Sequence, residues 1–158
     1  MRHFKQEIFI HRPCKDVYEH LAEPRNFLGL QPLLTSLDPL PEQQDENGIT
    51  LRPFYTVETF RWAGIPLLNN RIHSTAYLID PHKKLKHLVR SKPGIEIEFN
   101  YLFEEQEGNT HLTQTVDIQK VSPLLENFVY HEALKAQGAV LANLKARLEN
   151  DQVLSMER

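Results

Sequence analysis

Glu132, Tyr101 and His87 are the side chains best suited to move a proton, and Tyr55, Asn70, Ser74 and Gln114 to orient a polar group. Each shares an alternation or a helical spacing with apolar neighbours, so each is expected to project from an otherwise apolar wall. In Ile95-Glu96-Ile97-Glu98-Phe99-Asn100-Tyr101 the odd positions are apolar or aromatic, which sends the Tyr101 phenol inward. The same alternation groups Gln114 with Leu112, Val116 and Ile118, and His87 with Leu85 and Val89. It groups Asn70 and Ser74 with Ile72, Ala76 and Leu78, and Tyr55 with Leu51 and Val57. Glu132 falls in the helical arc bounded by Leu125 and Ala136. A few polar points converging on an apolar hollow orient a ligand, and a buried carboxyl can serve as acid or base. A plainer alternative stays open. The tyrosines fill core and bond a backbone carbonyl, while Glu132 turns to solvent.

Other chemistries find little footing. The eight histidines include no i, i+4 pair and no zinc signature, so neither a metal nor a cofactor is expected. The six glycines form no nucleophile elbow and no phosphate-cradling loop. The single Cys14 permits no internal disulfide and reads as a small apolar filler, with cytoplasmic residence as the default. A net charge of −3 argues against nucleic acid as a partner. No apolar run approaches the ~20 residues of a membrane span, and the first residues lack the apolar core of a signal peptide.

The elements that must hold these residues follow from punctuation. Phe4–Ile10 reads as a strand, and Pro13 to Leu21 as a short helix stopped by Pro24, with a second helical turn near Arg25–Leu30. Turn signals at Asp45-Glu46-Asn47-Gly48, Asp80-Pro81, Lys92-Pro93-Gly94 and Glu107-Gly108-Asn109 then divide six strands. These are Leu33–Gln43, Ile49–Phe60, Leu67–Ile79, Leu85–Ser91, Ile95–Glu104 and Thr110–Gln119. Ser122-Pro123 opens a long helix whose apolar stripe runs Leu125, Val129, Ala133, Val140, Leu144 and Leu148. Residues 1–150 therefore form one domain, and 151–158 read as a frayed tail. Long antiparallel strands coil, and one helix roughly 10 Å across cannot fill their concave side. A residual hollow follows.

This order resembles the START-like superfamily, which includes polyketide cyclase/dehydrase-type proteins, coenzyme-Q-binding proteins and birch-pollen-allergen-like carriers. The resemblance rests on Ile8-Phe9-Ile10-His11-Arg12-Pro13 with Val17 and Leu21, on Ala22-Glu23-Pro24-Arg25-Asn26-Phe27, on Asp80-Pro81, and on the final helix. It implies an α+β helix-grip fold: a curved six- to seven-stranded antiparallel sheet around the C-terminal helix, with two short helices after the first strand. It implies a pocket for a small apolar ligand, lipid-like, quinone or aromatic, held by a carrier or sensor. The chain departs from many relatives at Gly29-Leu30-Gln31, where they carry a tryptophan; Trp62 reads as a loop residue. Two alternatives accompany the carrier reading. One is a polyketide cyclase/aromatase-type enzyme using the same cavity; the other is a protein-partner module with a sheet-face patch of Phe9, Phe54 and Phe60.

Overall fold

Alternating apolar and polar residues make strands of most of the chain between residues 34 and 120. The computed structural model describes residues 2–62 and 65–157, with side chains described outside 60–70 and 151–157. Strand β1 (His3–Ile10) leads into α1 (Cys14–Ala22) and a 3₁₀ turn (Pro24–Phe27). Then come β2 (Leu34–Pro39), β3 (Gln43–Gln44), β4 (Thr50–Trp62), β5 (Ile65–Asp80), β6 (Lys84–Ser91), β7 (Ile95–Gln106) and β8 (Asn109–Lys120). The chain closes with α2 (Glu126–Glu157). All strands join one antiparallel sheet in the order β1-β8-β7-β6-β5-β4-β2, with β3 also on β4. The helix-grip architecture expected from the sequence is the one observed.

Three local expectations change. The strand expected over Leu33–Gln43 is split into β2 and β3, because neither Pro39 nor Pro41 carries an N–H for a ladder. Trp62 ends β4 instead of lying in a loop. Helix α2 starts at Glu126, not at Pro123, because a tighter turn intervenes, closed by Leu125 N–H on the Ser122 carbonyl at 3.0 Å. That turn leaves Leu124 at 94% exposure.

The core lies between the sheet and α2. Ile97, Phe99, Tyr101 and Phe103 of β7 are buried, as are Leu112, Val116 and Ile118 of β8 and Val140, Leu144 and Leu148 of α2. Side chains of the C-terminal half of α2 then fix main-chain carbonyls around it. Asn143 donates to Leu30 O at 2.8 Å, Arg147 to Asn26 O at 2.6 Å and Leu28 O at 2.9 Å, and Lys145 to Phe9 O at 2.6 Å. Gly29, with φ of +85°, lies where a Cβ would come within 2.9 Å of the Arg147 guanidinium. A side chain there would be strained and crowded.

Candidate functional site

Between the sheet and α2 lies a cavity of about 190 Å³. Its sheet wall is apolar through Phe54, Ile72, Val89, Ile97 and Phe99, and its helix wall through Val129, Ala133 and Ala136. Phe27, Leu33 and Leu34 close the side toward the 3₁₀ turn. Phe128 lines the cavity yet remains 57% exposed, which marks where the space meets solvent.

Four of the residues expected at the site line this cavity: Ser74, His87, Tyr101 and Glu132. Ser74 and His87 are both 4% exposed. The His87 ring stands edge-on to Phe27 at 5.0 Å and to Tyr101 at 5.3 Å, and its Nε2 has no hydrogen-bond partner. Burial pushes its imidazole down to about 3, so the ring is neutral near pH 7. Burial likewise holds the Tyr101 phenol far above its ordinary value, so it stays un-ionised. Glu132 is half-buried on the α2 wall.

Gln114 is fully buried but sits behind the wall instead of lining it. Its Nε2 donates to the Tyr101 hydroxyl at 3.1 Å and to Gln137 Oε1 at 2.8 Å, which ties β7, β8 and α2 through one amide. Asn70 pairs by backbone with Glu58 across β4 and β5, and its side chain lies outside the described residues.

Tyr55 requires a correction. It faces the outside of the sheet, with the Arg71 guanidinium 4.0 Å over its ring and His73 edge-on at 5.1 Å. Both faces of β4 carry apolar residues, so Leu51 and Val57 suggested the wrong one; Phe54, Thr56 and Glu58 point inward instead. The same parity takes Phe54 out of the suggested aromatic surface patch. Phe54 is 4% exposed and inside the cavity, Phe9 is half-buried, and the Phe60 side chain lies outside the described residues.

That parity also brings in two residues the sequence reading missed, Glu58 and Gln31. Gln31, only 8% exposed, closes the Gly29-Leu30-Gln31 stretch. Its Oε1 accepts the Leu33 N–H at 2.6 Å, so its Nε2 must face the other way, and it donates to Glu58 Oε1 at 2.8 Å. Burial pushes the Glu58 carboxyl up to about 7, only partly offset by that bond. The signal available in sequence was the even-position Phe54, which shares a face with Glu58. Among the described residues no Lys or Arg lines the cavity, and no group of three His, Cys, Asp or Glu is placed to hold a metal. Among the same residues, no helix is long and apolar enough to cross a membrane.

No family model matches this sequence, and neither does any curated protein. Solved structures do match its fold over nearly the whole chain. The ZhuI aromatase/cyclase from Streptomyces sp. R1128 aligns with TM-score 0.66 and 18% identity, covering 93% of this chain and 95% of that one. TTHA0849 from Thermus thermophilus aligns with TM-score 0.68 and 17% identity, over 95% and 99% of the two chains. Ara h 8.0201 aligns with TM-score 0.65 and 13% identity, over 94% and 98%. At these identities the likeness establishes the fold. The resemblance to START-like proteins holds at that level.

Proposed function

We propose that this chain binds a small hydrophobic molecule in the cavity between its sheet and α2, as a carrier or sensor. The observation that carries the reading is an apolar chamber interrupted by a few fixed polar groups, the usual make-up of a ligand site. Its size bounds the occupant. An engineered apolar cavity of about 150 Å³ holds benzene, so 190 Å³ suits one or two rings or a short branched chain. Longer molecules need the mouth at Phe128 to widen.

The test is titration calorimetry with indole, a neutral aromatic probe, on the wild type and on Ala133→Trp, whose side chain fills the space. Binding to the wild type and its loss in a variant that still melts cooperatively support the reading. Absence of binding by the wild type overturns it. Native mass spectrometry of the purified protein, then denaturation, identifies any co-purifying occupant.

A second reading, acid–base chemistry on a bound substrate, is favoured by Glu58. A carboxyl titrating near neutrality inside an apolar chamber is matched to giving and taking protons. For that reading Glu58→Gln abolishes turnover while binding persists; unchanged turnover excludes the role.

A further inference from the structure

Among the described residues, the charged lining of the cavity is of one sign: it holds two carboxylates, Glu58 and Glu132, and no Lys or Arg, while His87 is neutral. Glu58 is not placed there as an acceptor by chance of rotamer. The Leu33 N–H fixes the Gln31 amide so that it can meet Glu58 only as a donor. The carboxylate thus receives one neutral hydrogen bond, and no ion pair to it is found among the described residues. An ionised carboxylate is acceptor-only, with about four lone-pair sites to satisfy, so the half-buried Glu58 keeps most of its capacity for a ligand or solvent. One polar atom of the same lining is buried with no partner: the Nε2 of His87.

Register places these groups along the chamber. Glu58 lies beyond Phe54 and Thr56 toward the β4–β5 hairpin, whereas His87 pairs with Ala76 and Phe99 toward the opposite end. Aromatic and aliphatic walls separate them.

We propose that the cavity takes a small hydrophobic amine, its protonated nitrogen paired with Glu58 and its apolar body against Phe54, Ile97 and Phe99. The inference rests on the binding reading above and names its ligand class. A cation supplies the countercharge that the described lining lacks. A carboxylate ligand would add a further negative charge to a low-dielectric chamber, and a neutral alcohol would offer no countercharge to Glu58 once it ionises. Glu132, on the facing helix wall, adds to the field that favours a cation. The raised Glu58 carboxyl agrees with this account, since a countercharge draws such a group back down and makes binding release a proton near neutrality.

The test uses probes that share a phenyl body: 2-phenylethylamine, 2-phenylethanol and 3-phenylpropionate, each titrated by calorimetry. The titratable groups facing the nitrogen are Glu58 of β4 and Glu132 of α2, with neutral His87 deeper in. The amine is expected to bind about tenfold or more tighter than the alcohol, with the acid weakest. Its affinity is expected to rise severalfold from about pH 6 to about pH 8, while that of the alcohol stays level. Glu58→Gln removes both the preference and the pH dependence but still binds 2-phenylethanol, which shows an intact chamber. Glu132→Gln weakens the amine less. The proposal is overturned if alcohol or acid binds as tightly as the amine, or if the preference survives Glu58→Gln. Binding of the alcohol without amine preference overturns this inference alone; failure of all three probes overturns the binding reading with it.

Discussion

Gln31 donates to Glu58 across 2.8 Å while its own carbonyl oxygen is held by the Leu33 N–H, so a buried amide presents a carboxyl to an apolar cavity. Burial in that cavity, only partly offset by the Gln31 bond, makes the folded protein keep a proton that the unfolded chain releases. Because the folded value, about 7, lies above the ordinary one, the stabilisation is complete below about pH 4.5 and is lost as pH rises toward 7. At about 1.4 kcal/mol per pKa unit, and allowing for the partial exposure of Glu58, the loss is about 2 kcal/mol. Urea unfolding near pH 5 and pH 7.5 measures it. Glu58→Gln should show a shallower slope over that range, and an unchanged slope would show that Glu58 does not titrate as described.

The Tyr101–Gln114–Gln137 chain is buried at Tyr101 and Gln114 and half-buried at Gln137, and Gln114 Oε1 already lacks a partner. Replacing Gln114 by leucine leaves the Gln137 carbonyl oxygen unpaired and should cost about 2–3 kcal/mol. Tyr101→Phe removes only one acceptor and should cost about 1 kcal/mol. Equal costs for the two variants would mean that Gln114 acts through packing and not through its amide.

Gly138 sits inside α2 without a positive φ, and a Cβ there would meet only Gln6 Nε2, at an ordinary 3.8 Å. Nothing in the contacts requires glycine. Gly138→Ala is expected to raise stability by about 1 kcal/mol through helix propensity. A thermal melt decides it, and a lowered Tm would reveal a close approach that the geometry does not contain.

Arg147 holds the carbonyls of Asn26 and Leu28 and contacts the His20 ring at 3.1 Å. It fixes the turn that presents Gln31 to the cavity. Arg147→Ala should cost about 2–3 kcal/mol and weaken ligand binding more than its stability loss explains. Denaturation and titration of the same sample separate the two effects.

The elements were largely legible in the sequence because their patterns were one-sided. In β7 and β8 the apolar residues, Leu102 apart, share one face, so Tyr101 and Gln114 could be turned inward from alternation alone. The long helix announced itself by its stripe. Strand β4 was not legible in this way, since Leu51 and Val57 stand on one face and Phe54 on the other, while the inner face carries Thr56 and Glu58. Polarity that marks an outer face elsewhere here marks a site. Gln31 was invisible for a different reason: its importance comes from a partner 27 residues away, and no local pattern encodes that pairing.

An open sheet leaves two strands with unpaired edges, and each could recruit a strand from another chain. At one border β2 has only six residues and ends in Pro39, with Pro41 just beyond, so the template is short and interrupted. At the other border the Lys145 ammonium occupies the Phe9 carbonyl of β1. A charge-assisted bond and a pair of prolines thus blunt both borders against edge-to-edge aggregation, and a wide sheet can curl around a helix without closing into a barrel.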